Sequence, residues 1–270
     1  MASANEYTRI MGDIQALFRS RLQIQILLAL ADGDKTLAQL RDRTGSSSQA
    51  LIPKIRTLES QMLIEQMNYG YLLTPLGHVL TARITDFVMT IGSIRRHKDY
   101  WGTHDLTGIP QEFLFEIGKF LNAELIYDTT GDVIHVYNLY LKMVQEAAHI
   151  HGASSVMSPG LADALSSRIV EGIPVELVVN EEAAEGLRQE PYVTAIKQLL
   201  NFPNFKVLVS KVPFRIGLTV TDKRISLGLF KKDGKMYDVG TDLVSSEPDA
   251  IAWGENLFKH FKDQSVKLVI

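Results

Sequence analysis

The stretch TLAQLRDRTGSSSQALIPKIRTLESQMLIEQMNYGYLLTPLG, residues 36–77, decides how the chain is read. Leu37 and Leu40 mark the inner face of a short helix over 36–43, and Thr44-Gly45-Ser46 turns the chain. Leu51, Ile55, Leu58 and Met62 then recur at helical spacing, which predicts a second helix over 46–61. At Leu63 the period changes. Residues 63–67 and 71–74 read as two strands around Asn68-Tyr69-Gly70. Thr74-Pro75 restarts a helix, with Thr as N-cap and Pro at the first helical position.

Working outward, Ile10, Ile14 and Leu17 predict an amphipathic helix over 7–19. Residues 20–31 are strongly apolar and stop at Asp32-Gly33, the pattern of a buried helix. Helix, helix, turn, helix, hairpin, helix is the order of a winged helix-turn-helix, which presents the second of its paired helices to a major groove. With Leu51, Ile55 and Leu58 inward, the opposite face carries Ser46, Ser48, Gln49, Ile52, Pro53 and Arg56. Serines and free N–H groups at a helix start reach phosphates. Gln49 suits an adenine edge, and Arg56 suits guanine or phosphate. Lys54, Arg41 and Arg43 are phosphate candidates, and Asn68 and Tyr69 form the wing tip. Pro53 removes a donor inside the helix and is expected to distort it. Double-stranded DNA is the expected partner; a winged helix that contacts protein is the alternative.

The helix after the wing is expected to run from 75 to about 100. In it Leu80, Ile84, Phe87, Ile91 and Ile94 are spaced 4, 3, 4, 3, the pattern of a coiled-coil seam. Two readings stand: a homodimer seam, whose two-fold would mirror paired half-sites, or packing within the chain.

Composition narrows the classes. At 270 residues there is room for two cores. Cysteine is absent, which excludes disulfides, thiolate metal sites and cysteine nucleophiles. The N-terminus, 1–9, has no apolar run of leader length, and no stretch has the ~20 apolar residues of a membrane span. A soluble cytoplasmic protein without a membrane partner is expected. Residues 1–100 hold 12 Lys/Arg against 9 Asp/Glu, a net of +3, while 101–270 hold 16 against 22, a net of −6. The basic part suits a polyanion.

Residues 101–110, with Gly102, Gly108 and Pro110, read as a linker. Beyond it, helical periods (111–121, 132–146, 159–171, 192–200) alternate with apolar runs (123–127, 148–156, 173–179, 205–212). This βα rhythm predicts an α/β sheet. Residues 216–220 and 225–230 then flank Asp222-Lys223, and 232–234 make a second hairpin turn. The last helix opens on Ser246-Glu247-Pro248-Asp249, a capping-box pattern, and turns Ile251, Leu257, Phe258 and Phe261 inward. The expected class is α+β: a winged helix-turn-helix (1–73), a long dimerisation helix with linker (74–109), and a C-terminal α/β domain with a mixed sheet (110–270).

The segment ending Leu58-Glu59-Ser60-Gln61-Met62-Leu63-Ile64, and the closing Tyr71-Leu72-Leu73-Thr74-Pro75-Leu76-Gly77, resemble winged-helix repressors of the arsenical-repressor superfamily. With Val212-Pro213-Phe214-Arg215-Ile216-Gly217, Ile225-Ser226-Leu227-Gly228-Leu229-Phe230 and Trp253-Gly254-Glu255-Asn256-Leu257-Phe258, the chain resembles archaeal regulators carrying a Fil-type methanogenesis-regulator middle domain. The resemblance implies a sequence-specific DNA-binding transcription regulator. Its DNA affinity would be modulated by the C-terminal domain through a small-molecule or protein effector. The alternative is an enzyme or adaptor with an appended winged helix.

The α/β part also looks distantly like a phospholipase D half-domain. That chemistry needs His-x-Lys-x4-Asp, and here His260-Phe261-Lys262 is followed five residues later by Lys267, so no catalytic residue is expected. His149-x-His151 places two rings on one strand face: a metal pair or, as the preferred reading, ordinary strand histidines. Arg215 suits an anionic effector or a structural ion pair. His149, His151, Arg215 and Asp242 are the effector-site candidates, and neither metal nor cofactor is expected.

Overall fold

A computed structural model describes residues 4–270; the first three residues of the polar opening lie outside it. The chain divides into two compact units, residues 1–88 and 89–270.

In the first unit, α1 (Ala4–Arg19) and α2 (Arg21–Leu30) precede β1 (Lys35–Thr36), α3 (Leu37–Thr44) and α4 (Ser48–Ser60). Then follow β2 (Ile64–Met67), β3 (Gly70–Leu73) and α5 (Pro75–Arg96), which runs on into the second unit. The core gathers Ile26, Leu27 and Leu30 with Leu40, Leu51, Ile55, Leu58, Ile64, Leu73 and Ile84. Each helix start is chemically marked. Thr36 caps α3 in a reciprocal capping box with Gln39. Ser47 caps α4 by accepting from the Ala50 N–H, so that helix begins two residues later than its periodicity suggests. Between them Gly45 ends α3 in the left-handed region at φ 64°. Helix α4 continues through Pro53, which has no N–H to give to the Gln49 carbonyl. The hairpin β2–β3 takes β1 as a third strand, in the order β1-β3-β2. Thr74 locks the hairpin to α5: its hydroxyl donates to the Met62 carbonyl at 2.6 Å and accepts from the Gly77 N–H at 3.0 Å. Gly77 is pressed so closely on the Leu63 carbonyl that a methyl there would overlap it.

The second unit contains α6 (Lys98–Thr103), β4 (His104–Asp105), α7 (Gln111–Leu114), β5 (Glu124–Tyr127) and α8 (His135–Gln145). It continues with β6 (Ile150–Ser154), α9 (Pro159–Val170), β7 (Val175–Val179), α10 (Glu181–Leu187), α11 (Tyr192–Leu199) and β8 (Phe205–Ser210). It closes with β9 (Ile216–Thr221), β10 (Ile225–Lys231), β11 (Thr241–Ser245), α12 (Pro248–Lys262) and β12 (Ser265–Lys267). The sheet runs β12-β8-β7-β6-β9-β10-β11-β5, with β4 added on β10. Strands β6, β7 and β8 pair in parallel, and β9, β10, β11, β5 and β12 join antiparallel. Side chains alternate across the pleat. One face packs on α12 through Ala153, Val178, Leu218 and Leu227 against Trp253, Leu257, Phe258 and Phe261. The other packs Ile150, Val175, Val179 and Val207 on residues of α8 to α11.

Three sequence expectations change. The stretch 101–110 is not a linker: Trp101 and Ile109 are buried and β4 pairs with β10. Gly108, which suggested flexibility, lies instead on the Arg215 backbone, where a Cβ would stand only 2.7 Å from its carbonyl oxygen. The long helix stops at Arg96, because His97 turns inward to hydrogen-bond the Phe120 carbonyl at 3.0 Å. Ser246 does not form a capping box. Helix α12 starts at Pro248 after Glu247, with no side-chain cap bond.

Candidate functional site

Each unit carries a feature with the geometry of a binding site. In the first, α3, its glycine stop and the cap at Ser47 hold α4 with its core residues inward. On the opposite side Gln49, Ile52, Pro53 and Arg56 are exposed, while Ser46, Ser48 and Lys54 are half-buried. Arg43 lies exposed in the last turn of α3. Of the N–H groups in the first turn of α4, that of Ala50 is already taken by the Ser47 hydroxyl. Arg56 is not a free cation: it pairs with Glu59 one turn on, at 3.0 Å. A polyanion must displace that carboxylate or share the guanidinium with it. At the wing tip Asn68 takes the left-handed conformation at φ 52° and Tyr69 is 93% exposed.

The heptad on α5 splits. Ile84 is buried in the unit's own core and Leu80 packs against that core, so these two meet intramolecular partners. Phe87, Ile91 and Ile94 stay exposed, with Val88 beside them. Phe87 meets Phe18 of α1 edge-on, with centroids 5.7 Å apart. Helix α1 itself buries no residue and leaves Tyr7, Ile10, Met11 and Phe18 exposed.

In the second unit a cavity of about 590 Å³ opens between the sheet and α8, α9 and α11. Its size is that of small-molecule sites, and its wall is largely apolar. Glycines make the room. Gly217 and Gly228 are cross-strand partners on β9 and β10, and the Tyr237 hydroxyl lies where their side chains would be. Gly152 does the same on β6, where a Cβ would meet Leu177 at 2.8 Å. Polar residues of the wall include Tyr137, Tyr140, Thr219, Ser226, Tyr237 and Asp242. Asp242 Oδ2 accepts from the Ser226 hydroxyl, while its Oδ1 is buried without a partner. Burial pushes its carboxyl up to about 7, against the opposing hydrogen bonds of Ser226 and the Leu243 amide. Burial likewise pushes the Tyr140 hydroxyl up to about 12. A carboxyl with a raised folded-state pKa stabilises the fold below its unfolded pKa, and that stability is lost as pH rises through about 7. Asp242→Asn is therefore expected to flatten the decline in stability between about pH 4 and 7 by up to about 4 kcal/mol. Urea unfolding of both chains across that range measures it, and parallel slopes refute it.

The effector candidates do not form one pocket. Asp242 lines the cavity, but His149 and His151 lie on the α12 side of the sheet with Glu255. Arg215 lies over the Phe230 ring, 4.5 Å from its centroid. Period-two alternation puts His151 and Gly152 on opposite faces, which is why a strand numbered through both cannot serve one pocket with both. The sequence carries no sign that Tyr237 covers this glycine pair, since a glycine opposite a glycine shows only once register is known. No described helix is long and apolar enough to cross a membrane.

Two family models match the chain. The N-terminal domain of methanogenesis regulatory protein FilR1 matches residues 11–92, and its middle domain matches residues 135–264. The chain is 24% identical over 258 residues to the FilR1 protein of Methanothrix harundinacea (strain 6Ac). That alignment covers 94% of this chain but 58% of the relative, so the chain spans less than two thirds of it. Among solved structures, TrmBL2, an archaeal chromatin protein with a novel mode of DNA binding, aligns with a TM-score of 0.41 at 14% identity, covering 96% of this chain and 99% of its own. Nuc of Salmonella typhimurium, of the phospholipase D family, aligns with a TM-score of 0.42 at 17% identity, over 54% of this chain and 96% of its own. With a FilR1-type N-terminal domain followed by a FilR1-type middle domain, this chain belongs to the family of Fil-type regulators.

Proposed function

We propose that this protein is a sequence-specific, homodimeric DNA-binding transcription regulator whose C-terminal cavity takes a small effector that shifts its DNA affinity. The observation that carries the reading is the first unit's exposed helix: α4, capped by Ser47, joined by the left-handed Gly45 to α3, and flanked by the wing. Ser48, Gln49, Ile52, Pro53, Lys54 and Arg56 form its outer side, with Ser46 in the turn before it and Arg43, Asn68 and Tyr69 alongside. Such a helix fits a major groove, and the wing tip fits the neighbouring backbone or minor groove. The regulatory character of the FilR1 relative supports the same reading.

The exposed half of the α5 heptad supplies the self-contact. The cavity supplies the effector site: an apolar molecule whose polar head reaches Asp242 and the Tyr237 hydroxyl fits it best. A ligand that binds one DNA-affinity state better than the other moves the population by that difference alone.

Binding to duplex DNA from the gene's own upstream region, and to a random-sequence pool, tests the proposal across a salt series. Affinity is expected to fall steeply with salt and to favour the upstream duplex. Arg56→Ala is expected to lower the salt slope by about 1 if the side chain meets phosphate, or to cost about 1–3 kcal/mol at one base pair if it reads guanine. Glu59→Gln, which releases Arg56, is expected to tighten binding. Absence of salt-sensitive binding to either DNA refutes the reading and favours a winged helix that contacts protein.

A further inference from the structure

The histidine pair has a third partner that sequence alone does not bring near it. His151 belongs to β6, His149 immediately precedes that strand, and Glu255 comes from α12, 104 positions beyond His151. His149 Nε2 stands 3.5 Å from Glu255 Oε1, and His151 Nδ1 stands 2.7 Å from Glu255 Oε2. The three donor atoms all lie within 4.8 Å of one another. Bonds of ~2.0–2.2 Å around a tetrahedral ion set its donors roughly 3.3–3.5 Å apart, so an ion here requires the 2.7 Å His151–Glu255 contact to open by about half an ångström. We propose that His149, His151 and Glu255 bind a divalent first-row transition metal, with Zn²⁺ the best match to two imidazoles and a carboxylate.

Four observations support the assignment. First, the His151 ring is supported from one side: it stacks on Phe258 at 4.7 Å, with planes 2° apart. Second, it is open: the three side chains are 37%, 29% and 32% exposed, which leaves a coordination position to water. Third, Lys262, whose ammonium lies 5.8 Å from the Phe258 ring centroid, is already paired with Glu176 at 2.6 Å. Fourth, the remaining ion pairs that use histidine have one imidazole and one carboxylate each: His104–Asp238, His135–Asp132 and His260–Glu112. Among the described residues, His149, His151 and Glu255 are the one group of three donors that converge. Imidazole and carboxylate donors suit zinc, nickel and ferrous iron, and the chain has no thiolate to select a softer ion.

A bound ion would tie β6 to α12. Binding to the folded state alone raises stability by mass action, so Zn²⁺ should raise the melting temperature. The decisive experiment titrates the chelator-treated full chain with Zn²⁺ alone in a calorimeter, and follows Co²⁺ substitution by its visible absorption. One equivalent is expected to bind, with the intense Co²⁺ bands of a four-coordinate site. His149→Ala and Glu255→Gln are each expected to weaken binding at least about tenfold and to abolish the thermal shift. His260→Ala is expected to leave both unchanged. His149 lies outside the strand, so its variant keeps the sheet, and the melting curve of each metal-free variant shows that it is folded. Absence of saturable Zn²⁺ binding to the native chain overturns the assignment. So does binding of equal strength in the native chain and in both ligand variants. The DNA-binding experiment above is independent of either result.

Discussion

Gly77→Ala is expected to unfold the first unit near ambient temperature and to abolish DNA binding with it. Gly77 lies in the first turn of α5, where its backbone is helical and alanine would ordinarily be welcome. The obstacle is steric. A Cβ would overlap the Leu63 carbonyl oxygen, come within 2.9 Å of its carbon, and reach 3.3 Å from Leu73 Cδ2. The carbonyl cannot retreat, because it accepts the Thr74 N–H at 3.1 Å while Thr74 itself grips Met62. Relief requires parting the wing from α5, which loses those bonds and the burial of Leu73. Overpacking costs about 1–3 kcal/mol and a broken buried hydrogen bond about as much again. A loss of about 4 kcal/mol corresponds to a fall of roughly 20 °C in melting temperature for a unit of this size. Calorimetry on the full chain, with the second unit's transition as internal reference, measures it. Gly12→Ala, where nothing lies within 4 Å, is expected to leave the transition in place or raise it slightly. A Gly77→Ala chain that melts with the native one would refute the interlock.

Ile91→Glu combined with Ile94→Glu is expected to leave the chain folded but monomeric, and to weaken DNA binding by about a hundredfold or more. Both side chains are more than two-fifths exposed, so charge there costs the single chain little. In a dimer the same positions face their copies, and buried unpaired carboxylates destabilise that contact strongly. Losing the second half-site contact removes the gain of linked binding, typically 10²–10⁴-fold. Sedimentation equilibrium reads the first effect and titration of a two-half-site duplex the second. A native chain that is monomeric at tens of micromolar, or a variant with unchanged DNA affinity, defeats the homodimer reading.

Much of the fold was legible because period and punctuation coincide. Leu51, Ile55 and Leu58 could only be a helix face, and Thr74-Pro75 could only restart one. The βα rhythm marked β6, β7 and β8 with α8, α9 and α11, but not α10, whose seven residues are too short to show a period. The short strands β1, β4 and β12 were not legible, since two or three residues carry no period, and pairing alone defines them. Glycine misled at Gly108, where it marks a close backbone approach and not a loose tether. For the sites, surface residues of α4 followed from the helix phase. The effector set failed for a different reason. Asp242 was found, but its cavity depends on Tyr237 covering a cross-strand glycine pair, and the histidines depend on Glu255, contacts that only the folded chain creates.

Strand β6 has one more consequence. Gly152 and Ser154 face the cavity, while His151 and Ala153, interleaved with them, face α12. Neighbouring residues of one strand therefore serve opposite faces of the sheet. A substitution at 152 reshapes the cavity wall, beginning at the movable end of Leu177, and leaves the donors of His149 and His151 where they are. The cavity wall and the cluster of His149, His151 and Glu255 can thus be altered by substitution one at a time.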